Sequence, residues 1–358
     1  MSYLLAFLGF SVLIILHELG HFFAAKAVGM RAERFSLFFP PHVLKFRRGE
    51  TEYCIGTVPL GGYVKISGMS PSEDLPPEVA SRAYLRQPVW KRIVVIAAGP
   101  LVNLVLAFAI IAGLYLALGT STGTTRVDTI ERAAPAAGAL VPGDRIVAVD
   151  GVRGDAAALG KQIASHRCAG EQTDGCRTAS PAAVTVVRDG QQRTLSIVPR
   201  YDAQARRARL GFSFAVESRS VGPVDAAGQS IDAMWRVTTA TLGVVGKLVY
   251  DQQARDEISG IVGSYEVTRQ SFEFNTAQAL WVLAVISLSL ALINLFPFLP
   301  LDGGHIFWAL AEKLRGRPIP IRVMERASVV GFVLIAMLFV IGLTNDIDRL
   351  RGGGFPVR

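Results

Sequence analysis

Two histidines and a glutamate lie in the first apolar stretch of the chain, within the sequence His17-Glu18-Leu19-Gly20-His21. Residues four apart on an α-helix lie on one face about 6 Å apart, so the two imidazoles can bind one zinc ion. Glu18 would lie beside a metal-bound water, accept its proton and later pass that proton to a leaving amine. The spacing therefore predicts a helix that carries a zinc-dependent hydrolytic site.

The apolar surroundings of this motif strengthen the prediction. All three ionisable side chains occupy the second half of residues 3–28, which are otherwise apolar. A charged group at the middle of a bilayer costs about 3 kcal/mol on insertion scales. Three such groups would remain costly in the membrane if they hydrogen-bonded only to one another. We therefore favour a bound metal ion.

A third metal ligand must come from elsewhere, because a tetrahedral catalytic zinc takes three protein ligands and keeps one open position. Asp302 is the only carboxylate in residues 280–310 and follows prolines that end an apolar stretch. We therefore predict Asp302 as the third ligand. Two alternatives remain: Asp302 can act as a helix N-cap, and His305 is a second candidate ligand.

Asn294 lies eight residues before Asp302, inside the same apolar stretch. Its amide can hydrogen-bond the substrate backbone or polarise the scissile carbonyl, as an oxyanion donor does. The alternative is a hydrogen bond between helices that only holds them together. We favour the catalytic role for Asn294 and the structural role for Asn103.

Four apolar segments dominate a chain of 358 residues that is 51% hydrophobic. Each has the roughly 20 residues that a membrane-spanning helix needs. A cleaved signal peptide is disfavoured for the first, because no basic residue precedes it and it carries the ionisable motif. The sequence predicts a multi-pass α-helical membrane protein with four transmembrane helices and one water-soluble insert. The segments are residues 3–28, 89–118, 280–299 and 323–343.

The formal net charge of +8 reflects two basic loops. Basic residues in short loops favour the cytoplasmic side, which places both termini and the insert outside the cytoplasm. No nucleic-acid-binding motif accompanies these charges, so nucleic acid is not an expected partner. The basic residues are Arg31, Arg34, Lys45, Arg47, Arg48, Lys65, Arg82 and Arg86 in one loop, and Lys313, Arg315, Arg317 and Arg322 in the other.

Short extended segments are predicted in the first basic loop and in the insert. Residues 52–66 suggest a hairpin beside the membrane, turning near Pro59 and Gly61-Gly62. The insert has strand-like segments at residues 126–130, 145–149, 184–187 and 194–198. Apolar residues then recur at helical spacing over residues 230–250, as Ile231, Met234, Trp235, Thr238, Leu242, Val245 and Val249. This amphipathic helix either packs on the β part, which we favour, or lies on the membrane surface.

The three cysteines divide between the two sides of the membrane. Cys54 lies in the cytoplasmic loop and is expected to stay reduced. Cys168 and Cys176 lie in the insert, where an oxidising compartment permits a disulfide. A disulfide and two free thiols are equally compatible with the sequence.

With these residues identified, the chain resembles the site-2 protease family of intramembrane metalloproteases. It is most similar to the bacterial branch that releases membrane-held sigma factors by cutting anti-sigma factors. The resemblance covers nearly the whole chain. It rests on the motif at residues 17–21, on Gly61-Gly62-Tyr63, on Gly99-Pro100-x-x-Asn103 and on Asn294-x-x-Pro297-x-x-x-Leu301-Asp302-Gly303.

The resemblance implies one Zn²⁺ per chain, with His17, His21 and Asp302 as ligands and Glu18 as general base. It also implies that residues 61–66 form a membrane-associated β element that pairs with the substrate. A substrate helix must unwind before cleavage, and an edge strand can hold the unwound segment by β-addition. The expected substrate-binding residues are Thr57, Gly61, Gly62, Tyr63, Val64, Lys65 and Ile66.

The insert is similar to a PDZ domain at residues 134–146 and 149–151, so a mainly-β PDZ-like extracytoplasmic domain is implied. Many relatives carry two such domains, whereas this chain has length for one. The expected parts are transmembrane helix 1 (1–29), a cytoplasmic loop with the β element (30–88), transmembrane helix 2 (89–118), the PDZ-like domain (119–202), an amphipathic helical region (203–278), transmembrane helix 3 (279–300), a cytoplasmic loop (301–321), transmembrane helix 4 (322–344) and a tail (345–358).

The implied function is hydrolysis of peptide bonds within single-pass transmembrane segments that another protease has already cut. Anti-sigma factors and signal-peptide remnants are the expected substrates, and the PDZ-like domain is expected to bind substrate or peptide tails. The implied location is the bacterial inner membrane, with the active site in the membrane towards the cytoplasmic side. Two alternatives are a membrane-anchored quality-control zinc protease that faces the cytoplasm and a non-catalytic PDZ scaffold.

Overall fold

The computed structural model describes residues 1–70, 73–203, 205–248, 250–256 and 258–352. The helices are α1 (Ser2–Ala27), α2 (Pro77–Ala80), α3 (Val89–Leu118), α4 (Ala156–Ala164), α5 (Pro223–Lys247), α6 (Gln252–Asp256), α7 (Ile261–Phe274), α8 (Thr276–Asn294), α9 (Asp302–Arg315) and α10 (Ile321–Gly352). The strands are β1 (Ala32–Arg48), β2 (Thr51–Ile66), β3 (Thr120–Ile130), β4 (Arg145–Val149), β5 (Ala182–Arg188), β6 (Gln191–Ile197), β7 (Arg200–Asp202), β8 (Arg207–Arg209) and β9 (Phe212–Arg219).

Four helices of the described chain, α1, α3, α8 and α10, are long and apolar enough to cross a membrane. The prediction of four such helices is confirmed. Two of them differ from the predicted ends. Helix α8 ends at Asn294 and not at residue 300, because the prolines that follow cannot continue a helix. Helix α10 continues to Gly352. Residues 345–352, predicted as tail, are therefore helical, and residues 353–358 lie outside the described residues. Asp346, in this added length, is fully buried.

The loop between α1 and α3 folds into a small antiparallel sheet. Residues 32–37 of β1 pair on one side with residues 52–55 of β2 and on the other with residues 62–66. Residues 42–48 pair with residues 51–56, because β1 reverses near Phe38, which has a φ of 69°. The sheet order is thus 62–66, 32–37, 52–55, 42–48. Within the described residues, no further strand pairs with the outer side of 62–66.

Contacts between Cα atoms divide the chain into two compact units, residues 117–221 and the remainder. The unit of residues 117–221 contains a five-stranded antiparallel sheet in the order β6-β5-β4-β3-β9. Its core includes Val127, Ile146, Leu159 and Val184, all almost fully buried. Burial of this apolar surface at about 25 cal/mol per Å² is what stabilises the unit.

Strand β9 was not predicted. Its residues, 212–219, fall in the region that the sequence assigns to helices, yet they pair with β3 at the edge of the sheet. The partners Thr120 and Arg219 are far apart in the chain. Local periodicity carries no signal for such a pairing, because β structure depends on neighbours across the sheet.

A disulfide joins Cys168 and Cys176 in the same unit, whereas Cys54 is a free, buried thiol. In the same unit, Asp144 is buried and accepts hydrogen bonds from Arg188 Nε and Nη2, each at 2.7 Å. This ion pair lowers the pKa of the Asp144 carboxyl. The pair fixes the turn before β4, since Asp144 also accepts a bond from the Val141 N–H at 2.9 Å.

Helix α5 forms where the amphipathic pattern predicts it, but it packs through different residues. Its buried side chains are small, namely Ala226, Ser230 and Ala233. Three residues of the predicted apolar face, Ile231, Trp235 and Leu242, are exposed. The packing interpretation is therefore wrong for these three side chains, because the helix packs through its small residues instead. Val249, the last residue of the pattern, lies outside the described residues.

Candidate metal centre

The two histidines of α1 and the first residue of α9 meet at one point. His17 Nε2 and His21 Nε2 are 3.2 Å apart. Asp302 Oδ2 lies 3.2 Å from the first of these nitrogens and 3.3 Å from the second. Both histidines are buried and Asp302 is half-buried. The structure thus brings together the three predicted ligands, which are far apart in the sequence.

The triangle of donor atoms fits a metal ion. Zinc ligands at about 2.0 Å in a tetrahedron are separated by about 3.3 Å, which matches all three edges. Asp302 Oδ2 is buried and has no hydrogen-bond partner among the described residues, although both ring nitrogens are near. A buried carboxylate oxygen without a partner is costly. Two imidazoles and one carboxylate are also a donor set that zinc accepts.

Helix α3 supports the histidine pair from one side. The His21 Nδ1–H donates to the Val95 carbonyl at 2.9 Å, and the Asn103 amide lies 3.2 Å from His17 Nδ1. Gly99 lies between Val95 and Asn103 on α3. A Cβ at Gly99 would overlap His21 Nε2 and come within 2.9 Å of His17 Cε1. The absence of a side chain at residue 99 lets α3 approach the site.

Asp302 is held by a tight turn between α8 and α9. It is the first residue of α9, whose N-cap is Leu301 without a side-chain capping bond. A Cβ at Gly303 would overlap the Leu295 carbonyl, and one at Gly331 of α10 would overlap the Leu299 carbonyl. The N-cap alternative for Asp302 is therefore wrong, and Gly303 and Gly331 allow the close packing of the turn that carries it.

Glu18, Asn294 and His305 line the same cavity as the donor atoms, with a volume of about 690 Å³. Asn294 is the last residue of α8. His305 is not part of the three-residue donor group found in the described chain. A cavity of this size, mostly apolar with a few convergent polar groups, is typical of a ligand site.

The outer strand of the loop sheet forms one wall of this cavity. Five predicted substrate-binding residues line it: Gly61, Gly62, Tyr63, Val64 and Ile66. A Cβ at Gly62 would lie 3.2 Å from Glu18 Cγ, so this strand runs directly beside Glu18.

Thr57 and Lys65 do not line the cavity. Lys65 Nζ instead pairs with Glu33 at 2.7 Å and Glu73 at 3.1 Å. The Thr57 hydroxyl donates to the Pro41 carbonyl at 3.2 Å. Lys65 lies between Val64 and Ile66, which line the cavity, but its side chain is held away by the ion pairs with Glu33 and Glu73.

Sequence reasoning missed the apolar residues that complete the cavity and the glycines that let helices approach it. The glycines Gly20, Gly99 and Gly331 were a usable signal, since glycine in an apolar span often marks close packing. Helix α7 had no comparable signal, although its Tyr265 lines the cavity. The missed lining residues include Phe7, Phe10, Ile14, Ile261, Tyr265, Ile286 and Leu290.

Comparison with known proteins identifies the family of this chain. The model of peptidase family M50 matches residues 5–338. A protein of Rhizobium meliloti named "Putative zinc metalloprotease" is 31% identical, with 96% of this chain and 95% of that protein covered. A protein of Nostoc with the same description is 29% identical over 98% and 97% of the two chains. Metalloprotease MmpA of Caulobacter vibrioides is 27% identical over 95% and 93%. The chain belongs to peptidase family M50, the site-2 protease family.

Proposed function

We propose that this protein is an intramembrane endopeptidase that hydrolyses peptide bonds in single-pass transmembrane segments. Its cofactor is zinc, and we assign His17, His21 and Asp302 as the ligands of one ion per chain. The observation that carries the proposal is the shared cavity, in which the donor triangle, Glu18 and the edge strand meet. That combination serves hydrolysis of an extended peptide.

The chemistry divides between the ion and the protein. Bound zinc supplies a Lewis acid, which polarises the scissile carbonyl and makes water a better nucleophile. Glu18 accepts the proton of the attacking water as the water oxygen bonds to the carbonyl carbon. As the carbon–nitrogen bond breaks, Glu18 returns this proton to the leaving amine. Asn294, at the end of α8, is our candidate donor to the scissile carbonyl oxygen.

The substrate would bind as an added strand on residues 61–66. Backbone N–H and C=O groups on the outer side of this strand have no strand partner among the described residues. An unwound substrate segment can satisfy them by β-augmentation, which gives affinity without strict sequence preference. A Cβ at Gly61 would meet the Phe39 ring and one at Gly62 would meet the Ser36 carbonyl, so both glycines let the strand pack closely beside Glu18. The apolar lining from α1, α7 and α8 then suits the aliphatic side chains of a transmembrane segment.

We infer that the substrates are single-pass proteins already shortened by another protease, such as anti-sigma factors or signal-peptide remnants. The unit of residues 117–221 contributes a PDZ-like module that binds substrate or peptide tails. The protein would reside in the bacterial inner membrane, with both termini and this module outside the cytoplasm. The basic loops and the disulfide between Cys168 and Cys176 support this orientation.

The substitution Glu18→Gln tests the mechanism. It should keep zinc content and thermal stability while cleavage of a single-span substrate in detergent falls at least about 10³-fold, because a neutral amide cannot accept the proton. Glu78→Gln, an exposed position in α2, is the matched control and should retain activity. Products are identified by mass spectrometry. Turnover by Glu18→Gln at a rate near that of the control would refute the assigned role.

A further inference from the structure

Each histidine of the donor triangle has a second ring nitrogen that faces α3. For His21 the partner is the Val95 carbonyl, 2.9 Å from Nδ1. For His17 it is the side-chain amide of Asn103, whose Nδ2 lies 3.2 Å from Nδ1. Asn103 is fully buried, and its Oδ1 has no hydrogen-bond partner among the described residues. The amide therefore contacts the His17 ring through its nitrogen, while its buried oxygen lacks a partner among the described residues.

Metal binding by His17 determines whether its Nδ1 needs the oxygen or the nitrogen of the Asn103 amide as a hydrogen-bond partner. A neutral imidazole that binds a metal through Nε2 carries its proton on Nδ1. Nδ1 is then a donor and requires an acceptor. Val95 provides a carbonyl oxygen to His21, and Asn103 can provide its amide oxygen to His17. A half-turn of the amide exchanges its oxygen and nitrogen at nearly the same positions, so Oδ1 can face Nδ1 without any movement of α3.

The backbone of Asn103 is anchored separately from its side chain. Its carbonyl accepts a hydrogen bond from Ser287 Oγ of α8 at 2.9 Å. This bond joins α3 to α8 through the backbone of Asn103. The buried side-chain amide is therefore not needed for that contact and remains available to orient His17.

We propose that Asn103 is a positioning residue, whose amide oxygen accepts the proton of His17 Nδ1 and holds Nε2 ready for the metal. Helix α3 then supplies both acceptors, a side-chain amide for His17 and a backbone carbonyl for His21. This inference rests on the proposed metal centre. Outer partners of metal-bound histidines fix the tautomer and ring orientation, and their loss weakens metal binding by 10–100-fold.

Two substitutions at residue 103 test whether its side chain accepts a hydrogen bond from His17, donates one, or only fills space. Asn103→Asp keeps a hydrogen-bond acceptor in a side chain of the same shape but has no N–H group. Asn103→Leu keeps a similar volume but has neither an acceptor nor a donor. If the oxygen accepts from His17, Asn103→Asp should bind zinc within about threefold of the natural protein. Asn103→Leu should bind it about 10–100-fold more weakly. Ser287→Ala is the packing control, since it removes the α3–α8 bond alone, and its zinc affinity should be unchanged.

The measurement is the zinc dissociation constant of the purified full-length protein in detergent, obtained by competition with a chromogenic chelator. Thermal unfolding of the zinc-free proteins shows that each variant is folded. The inference is overturned if Asn103→Leu binds zinc like the natural protein, or if a folded Asn103→Asp binds as weakly as Asn103→Leu. It is also overturned if Ser287→Ala weakens binding equally.

His17→Ala and Asp302→Ala measure the metal centre itself in the same assay. If they lose zinc while Asn103→Leu retains it, the positioning role fails and the proposed ligand set stands. If they retain zinc at natural affinity, the ligand set fails, and with it the role of Asn103. The inference is supported if both ligand variants lose zinc, Asn103→Leu binds zinc weakly, and Asn103→Asp binds it nearly as well as the natural protein.

Discussion

At the scale of single residues, α3 approaches the histidine pair most closely at Gly99. A Cβ at this position would overlap His21 Nε2, and it would lie 2.9 Å from His17 Cε1. These atoms belong to rings fixed at their other nitrogens by α3 itself. The rings therefore cannot move aside without losing those hydrogen bonds. Residue 99 must be glycine because α3 lies so close to the rings, not because of an unusual backbone angle.

Gly99→Ala should therefore displace the imidazoles and lower zinc affinity by at least about tenfold, as loss of ligand orientation does. Gly113→Ala is a matched control on the same helix, since a Cβ there meets no atom within 4 Å. Helix propensity favours both substitutions by up to about 1 kcal/mol, so general destabilisation of α3 is not expected. Zinc content after dialysis against a weak chelator is the measurement. Equal zinc content in both variants would contradict the steric argument.

At the scale of elements, one wall of the cavity depends on a contact between α7 and α10. Asp346 of α10 is fully buried and accepts hydrogen bonds from the Gly260 N–H at 3.0 Å and the Gly263 N–H at 2.8 Å. It thus caps the N-terminus of α7 from another helix, where the helix dipole also favours a negative charge. Ile261 and Tyr265 of α7 line the cavity. The carboxylate of Asp346 consequently anchors the start of this wall.

Asp346→Ala should destabilise the protein by about 2 kcal/mol, because it leaves two N–H groups without their acceptor. Asp348→Ala, an exposed position on the same helix, should have little effect. Hydrogen exchange of the first turn of α7 locates the change, and thermal unfolding in detergent measures its size. If that turn exchanges equally fast in the two variants, Asp346 does not cap α7.

The sequence predicted the elements whose signals are local. Apolar length identified four helices that can span a membrane, and the spacing of His17 and His21 placed both rings on one helix face. Asp302 could be selected because a lone carboxylate beside a helix break is rare in an apolar region. Pairing of β9 with β3 and capping of α7 by Asp346 depend on residues far apart in the chain. Periodicity within a short window carries no record of such partners.

At the scale of the whole molecule, the proposed orientation rests on charge. The basic residues of the loop between α1 and α3 and of the loop before α10 favour the cytoplasm. With four spans, residues 117–221 would then face the opposite compartment. The disulfide between Cys168 and Cys176 agrees, because such bonds persist in oxidising compartments. Cys54, the thiol that this orientation would place in the cytoplasm, is buried and therefore gives a low background for labelling.

This orientation predicts opposite accessibility for cysteines introduced at two exposed positions, Gln192 of β6 and Glu78 of α2. A membrane-impermeant maleimide added to cells with a permeable outer envelope should label Gln192→Cys at once. It should label Glu78→Cys only after the membrane is disrupted. The natural pair Cys168 and Cys176 should react from outside after reduction, and remain unreactive before it. Labelling of Glu78→Cys but not of Gln192→Cys in intact cells would show the opposite orientation. The basic loops would then lie outside the cytoplasm, and the charge argument would be wrong.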